Sequence, residues 1–362
     1  MDEQNKTDMN EKSNLNLADF TLPELVEWLS ANKVADAERN AYRGRQVFKW
    51  FGLGAASFRE MTNLPAEMRA ELSARATTGI PSIIGEMRSA RDKVVKYAMK
   101  TGDGNIVETV LLPYKQWHSV CVSSQAGCKM GCAFCASKPS GFRRNLTPGE
   151  MLGQVAAVSA RGAVKIDNVV VMGVGEPFDN YDNTLKFIRL LHEHDDTNIG
   201  YRKITVSTCG ILPGILRLAD EGLPVGLSVS LNASNDRARD LLMPVNRRYS
   251  IDKILEGCNI YTYKTNRRVT FEYALIEGVN DAPDDARELA RRIRGMLCHV
   301  NVIPVNRTGA AEFKSPPNDR VKRFAEIVGG GGVQATVRRS LGSDIAAACG
   351  QLRNSLLQDK DA

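Results

Sequence analysis

NVVVMGVGEPFDNYDNTLKFIRLLHEH, residues 168–194, sets a short unbroken apolar run against a longer run of helical period. Val169 to Val171 are β-branched and uninterrupted, the pattern of a strand covered on both faces. Past the turn formers of GVGEPFDN, the apolar positions of YDNTLKFIRLLHEH recur every three or four residues and predict an amphipathic helix. A strand running directly into a helix is half of a parallel βαβ unit.

The same beat recurs on both sides. SVCVSS (119–124), KITVSTCG (203–210), VGLSVSLN (225–232), RVTFEYALI (268–276) and HVNVIPVN (299–306) read as further strands, with VQATVRR (333–339) as an edge candidate. Helical runs such as TPGEMLGQVAAVSARG, IDKILEGCNIYTYKT and APDDARELARRIRGM lie between them. Six such units predict an α/β fold, an open or incomplete (β/α)6 barrel rather than the full eight-fold one. Function is then expected at the C-terminal ends of the strands. Polar residues gather there: Gly175 and Glu176, Ser207, Ser230 with Asn232, and Asn306. Any one of them reads as a turn former or helix cap, but successive strand ends sharing the feature point to a site. GVGEP is a poor dinucleotide fingerprint, since the third glycine is missing and a proline follows.

Around this core, residues 94–114 alternate as a hairpin about GDGN. LADFTLPELVEWLSANKV, AYRGRQVFKWFGLG and FREMTNLPAEMRAELSARA predict three or four short helices ending near residue 77. The expected organisation is a disordered tail over 1–17, a helical accessory region over 18–93, the barrel over 94–340 and a C-terminal segment over 341–362.

Composition narrows the classes. The chain has 362 residues, 43% hydrophobic and 25% charged, with no apolar run long enough to cross a bilayer. Its polar, acidic start lacks the features of a secretory signal, so the expectation is a cytoplasmic protein that does not engage membranes. No obligate protein partner is implied. Eight cysteines in a reducing compartment point to metal binding or catalysis rather than a disulfide framework. A net charge of +6 is mild, and clusters at Lys138/Arg143/Arg144, Arg247/Arg248, Arg267/Arg268 and Arg338/Arg339 make phosphate binding plausible. Arg43, Arg45 and Lys49, beside Phe48, Trp50 and Phe51, read either as a solvated face over buried aromatics or as an RNA contact.

CKMGCAFCAS, residues 128–137, carries Cys128, Cys132 and Cys135 and offers no fourth cysteine. Structural zinc sites are closed and tetrahedral, and the sequence-near candidates His118 and Cys121 are poorly placed to complete one. A [4Fe-4S] cluster on three cysteines leaves one iron open to a substrate.

CxxxCxxC with Phe134 before its last cysteine, after the first barrel strand and ahead of a GE-containing second strand, resembles the radical S-adenosylmethionine enzymes. In that family the open iron chelates S-adenosylmethionine, and one electron releases a 5'-deoxyadenosyl radical. CVSSQAGCKMGCAFCAS, GFRRNLTPGEM, VMGVGEPFDNYDN, SLNASND, RVTFEYALIEGVND, CHVNVIPVN and GSDIAAACGQL together resemble the bacterial adenine C2 methyltransferase family acting on 23S rRNA and tRNA. The resemblance runs from about residue 20 to residue 353.

It implies two molecules of S-adenosylmethionine, one methylating Cys349 and one supplying the radical. It further implies a covalent protein–RNA adduct resolved by Cys121 through a disulfide, with Glu108 as proton acceptor. Gly175, Glu176, Ser207, Ser230, Leu231, Asn232 and Asn306 would line the S-adenosylmethionine site. A departure is Asn232, where many members carry histidine. An electron donor such as flavodoxin is implied as a partner. The related C8 adenine methyltransferases share the cluster and both cysteines, and a non-catalytic zinc-stabilised RNA-binding protein is the rival from another class.

Overall fold

Apolar residues at helical spacing build three N-terminal helices, Leu22–Ala31, Asn40–Gly52 and Ala66–Arg75, in a computed structural model that describes residues 15–34, 39–306 and 313–352. Thr21 starts the first with a capping box, its backbone N donating to the Glu24 carboxylate at 2.7 Å. Leu25, Leu29, Val47, Phe51, Met68 and Leu72 turn inward and are buried. Of the basic residues on the second helix, Arg45 and Lys49 are exposed, while Arg43 donates to Gln46 at 2.8 Å. Phe48 stacks on His194 at 3.7 Å between ring centroids, joining these helices to the rest.

The tail expected over 1–17 falls largely on residues outside those described, but its last three are ordered. Leu17 is fully buried and donates its backbone N to Thr77 O at 3.0 Å. Asn16 caps the turn by accepting from Ala18 N. Two leucines in three residues carry no readable period, so their anchoring came only from tertiary packing.

Four strands follow: β1 Ser82–Arg88, β2 Val95–Lys100, β3 Ile106–Pro113 and β4 His118–Cys121, each antiparallel to the next. β1 lies inside the stretch expected to be helical. It is a half-exposed edge strand with an irregularity at Gly85, so SIIGEMR shows no clean alternation. β5 Gln125–Gly127 and β6 Phe142–Asn145 make a separate small pair.

β7 Asn168–Val171, β8 Ile204–Thr208, β9 Gly226–Ser230, β10 Val269–Leu275, β11 Cys298–Pro304 and β12 Ala335–Val337 then extend the sheet in parallel from β4. The order is β1-β2-β3-β4-β7-β8-β9-β10-β11-β12 in one ten-stranded sheet. β4 and β7–β11 are the six strands of an incomplete (β/α) barrel, and β12 is a short addition at its edge.

The parallel strands turn Val169, Val171, Val206, Leu227, Val229, Phe271 and Val302 into the core, while Val170, Ser207, Ser230, Glu272 and Ile303 between or beside them line the cleft, so the continuous apolar runs expected of these strands give way to alternation. Helix Tyr181–Glu193 buries Leu185, Ile188 and Leu191 against the sheet, on the face its period predicted. Gln154, on helix Pro148–Gly162, ties the layers together by accepting from Thr109 Oγ1 and Ser123 N, each at 2.8 Å. Among the described residues no helix is long and apolar enough to cross a membrane.

Candidate active site

The C-terminal ends of the parallel strands open onto a cleft of about 620 Å³. One wall is the loop carrying Cys128, Cys132 and Cys135, all partly buried and all lining the cleft. The loop is fixed by its backbone: Cys128 N donates to Gly141 O at 2.9 Å, Ala133 N to Leu242 O at 2.8 Å, and Cys135 N to Cys132 O at 3.2 Å. Gly127 sits at φ 80, where a Cβ would lie 1.8 Å from Gly141 O, so no other residue fits this entry to the loop.

Burial pushes the Cys128 thiol up to about 11 and raises Cys132 as well. Their protons must therefore leave as a metal binds. Among the described residues, no three His, Cys, Asp or Glu side chains stand close enough to hold a single metal ion. Three cysteines facing one cleft from a single loop instead fit a cluster, whose separate irons each take one thiolate.

Six of the seven residues expected around S-adenosylmethionine line this cleft: Gly175, Glu176, Ser207, Ser230, Asn232 and Asn306. Gly175, at φ 110, approaches Gln125 so closely that a Cβ would lie 2.7 Å from it. Buried Glu176 accepts from Phe178 N at 3.0 Å and from Cys209 N at 2.7 Å, while desolvation holds its pKa up. Leu231 is fully buried in the main core, and only its backbone N, donating to Glu272 O at 3.0 Å, serves the neighbouring strand.

Asn232, two residues past the end of β9, is buried. Its backbone is left-handed at φ 57, a conformation asparagine tolerates, and its side-chain oxygen accepts from Ala274 N at 2.8 Å. Asn306 donates from Nδ2 to the Cys349 carbonyl at 3.1 Å.

The opposite wall is residues 341–352, with exposed Cys349 at the cleft. Asp92 accepts from Gly342 N at 2.8 Å, Asp344 accepts from Ala90 N at 3.1 Å, and Lys96 donates to Ala346 O at 3.3 Å. Gly350 O accepts from Ala136 N at 2.8 Å and Leu352 O from Ser137 Oγ at 2.9 Å, which brings this wall onto the cysteine loop. Cys121, at the end of β4, lines the same cleft, and burial together with neighbouring Cys349 pushes its thiol up to about 12. Glu108 lies one pleat away on β3, 1% exposed, with Oε1 3.1 Å from Lys96 Nζ.

Reading the sequence alone missed several charged groups. Arg338, which its sequence pair suggested as a phosphate ligand, turns into the cleft, 3.5 Å from Glu272. Cys349 is the largest influence holding its guanidinium charged, followed by Glu272, against the cost of burial. Glu272 was visible only as an acid inside an apolar strand run. Arg144 is not free for phosphate either, being clamped by Asp103 at 2.5 Å and Glu150 at 2.7 Å. Arg239 is wholly buried behind the site, donating to Cys209 O at 2.6 Å and Leu231 O at 2.9 Å, with no sequence signal to betray it.

Residues 122–292 match the radical SAM superfamily, which makes the protein a radical S-adenosylmethionine enzyme, with the iron–sulfur cluster and S-adenosylmethionine that class employs. Residues 15–78 match the ribosomal RNA large subunit methyltransferase N-terminal domain. "Probable dual-specificity RNA methyltransferase RlmN" of Clostridium tetani is 45% identical over 95% of this chain and 97% of its own length. The protein of the same name from Clostridium perfringens is 46% identical over 95% of this chain and 98% of its own length. A crystal structure of a radical SAM methyltransferase from Sphaerobacter thermophilus superposes with a TM-score of 0.89 at 46% identity, covering 94% of this chain and 99% of that one. The chain belongs to the RlmN family of dual-specificity radical SAM RNA methyltransferases.

Proposed function

We propose that the protein methylates C2 of an adenine in 23S rRNA and in tRNA, with Cys349 as methyl carrier and Cys121 as the thiol that releases the product. The observation that carries this reading is that Cys121 and the exposed Cys349 line the same cleft as the cysteine loop, beside the buried Cys209. Adenine C2 is an electron-poor aromatic carbon with no nucleophilic lone pair, so simple displacement at a sulfonium does not reach it. The bound cluster, held by Cys128, Cys132 and Cys135, supplies one-electron cleavage of S-adenosylmethionine to a radical able to take hydrogen from an S-methyl group.

Everything else falls to side chains of this chain. The Cys349 sulfur attacks the methyl carbon of a first S-adenosylmethionine and S-adenosylhomocysteine leaves; after losing one hydrogen atom that carbon is joined to C2, and one electron is given back to the cluster that Cys128, Cys132 and Cys135 would hold. Once the C2 proton has been removed, Cys121 attacks the Cys349 sulfur. The sulfur–carbon bond breaks, a disulfide forms, and the departing carbon takes a proton to become the methyl group. Attack requires thiolate, and a thiol raised to about 12 by burial needs help. Arg338 is the cation that lowers Cys121 and lies beside Cys349.

Glu108 is the assigned proton acceptor. It lies 3.1 Å from Lys96 Nζ, and Lys96 links it to the Cys349 segment through Ala346 O. Gly175, Glu176, Ser207, Ser230, Asn232 and Asn306 would hold S-adenosylmethionine, and a flavodoxin-like protein would supply the electron. The test is incubation of unmodified 23S rRNA and tRNA with anaerobically reconstituted enzyme, reductant and S-adenosylmethionine, followed by mass analysis of nucleosides. 2-Methyladenosine is expected; 8-methyladenosine or unmodified adenosine overturns the assignment.

A further inference from the structure

The turn between β3 and β4 places two large aromatic rings in solvent at the rim of the cleft. Tyr114 is 40% and Trp117 43% exposed, with ring centroids 5.5 Å apart and planes 30° from each other. The turn is held by Tyr114 N donating to Trp117 O at 2.9 Å, so the rings sit on a short rigid closure between paired strands. Tyr114 and Lys115 both line the cleft, and Tyr114 is one of the groups acting on Arg338 beside Cys349. Arg339, exposed and also lining the cleft, adds a second cation to Lys115 at this rim.

Neither ring is explained by the fold. Both stand outside the hydrophobic cores, and nothing in the transfer of a methyl group between cysteines requires them. Exposed aromatic faces with cations beside them are the combination that binds unpaired nucleotides, the rings stacking on bases and the cations meeting phosphates. An adenine whose C2 edge is to reach Cys349 must leave its helix, and the nucleotides next to it lose stacking partners in the same step.

We propose that Tyr114 and Trp117 form a stacking platform for the nucleotides flanking the target adenine, with Lys115 and Arg339 taking the adjoining phosphates. This rests on the RNA-methyltransferase reading and names the rim residues that select unpaired RNA. The platform is separate from the basic face of the N-terminal helices.

The test measures binding and turnover of the reconstituted full-length enzyme with an RNA hairpin presenting the target adenine in its loop. The Tyr114→Ala/Trp117→Ala protein is expected to bind on the order of ten- to a hundred-fold more weakly, with the loss falling on KM rather than kcat. Tyr114→Phe/Trp117→Phe is expected to bind nearly as wild type, because the ring faces remain. Lys115→Gln/Arg339→Gln should instead flatten the dependence of log affinity on log salt by roughly 1.4, from two lost phosphate contacts to single-stranded RNA. Binding within two-fold of wild type in the double alanine variant, or phenylalanine variants as weak as alanine ones, overturns the platform. Wild-type enzyme that binds the hairpin in this ring-dependent way without methylating it would leave the platform standing and remove the assigned reaction.

Discussion

On one wall of the cleft the cysteine loop is fastened by its own backbone and by a glycine that nothing else can replace. On the other, the Cys349 segment is held by side chains about 250 positions earlier in the chain, Asp92 and Lys96, by Asn306, and by Ala136 N and Ser137 Oγ of the cysteine loop. A loop locked by its own turns is rigid because moving it breaks its fold, whereas a segment held by a few scattered hydrogen bonds, each worth about 1 kcal/mol, comes away without disturbing the sheet. The contrast separates two tasks, since a cofactor needs a fixed seat and a methyl carrier has to change partners.

The strongest challenge to this contrast is removal of the fixed seat. Changing Cys128, Cys132 and Cys135 together to Ala is expected to abolish iron and sulfide binding and all methylation. Full iron content in the triple variant would break the assignment. Next in size is the difference between the two outlying cysteines. Cys349→Ala should form no S-methylcysteine and no RNA adduct, while Cys121→Ala should accumulate an adduct seen as a nuclease-sensitive shift on a denaturing gel. An adduct in the doubly substituted protein would mean that a different residue carries the methyl group.

The Lys96–Glu108 pair tests whether the link between the walls is structural or chemical. Glu108→Ala removes the carboxylate 3.1 Å from the buried Lys96 ammonium and should cost about 3–5 kcal/mol of stability by denaturant titration. Lys96→Met/Glu108→Leu should restore most of that stability. If the double variant also turned over normally, Glu108 would be no proton acceptor.

His194 offers a pH test of the contact between the N-terminal helices and the barrel. Burial lowers its pKa from 6.5 to about 3 under the Phe48 ring. Above 6.5 it is neutral folded or unfolded, and between 6.5 and 3 only the unfolded chain takes the proton. Stability should therefore fall with decreasing pH across that window by up to about 1.4 kcal/mol per unit. His194→Phe should flatten the slope, and an unchanged slope would place the acid sensitivity elsewhere. Smallest is Asp92→Ala, which deletes the hydrogen bond to Gly342 N and should speed amide exchange over residues 342–350 by roughly five-fold, about 1 kcal/mol, without touching cluster content.

Much of this was legible before any coordinates, and the reason is the sheet. The β-branched residues of β7 to β11 made the strands readable, and the polar residues alternating with them or closing them marked the face that lines the cleft. What escaped was half-exposed or long-range. β1 is an edge strand with an irregular register, Leu17 is anchored by Thr77 and by the core it packs into, and Arg239 is held by partners at Cys209, Ser230–Leu231 and Asn246–Tyr249. Arg338 shows the limit best: a pair of arginines reads as surface charge, and nothing local says that the first turns inward to Glu272 while the second stays out.

The hydrogen bond from Arg338 N to Val302 O is the last between backbone groups that the Cys349 segment shares with the sheet. Eleven residues separate that anchor from Cys349, an extended tether of roughly 35–40 Å if every contact beyond Arg338 were released. With one end fixed at the rim, the Cys349 sulfur remains confined to a small sphere around the cleft. Its effective concentration there stays in the millimolar range wherever it swings. Methyl pickup and methyl delivery can therefore take place at different points within that sphere, and the intermediate does not have to leave the protein between them.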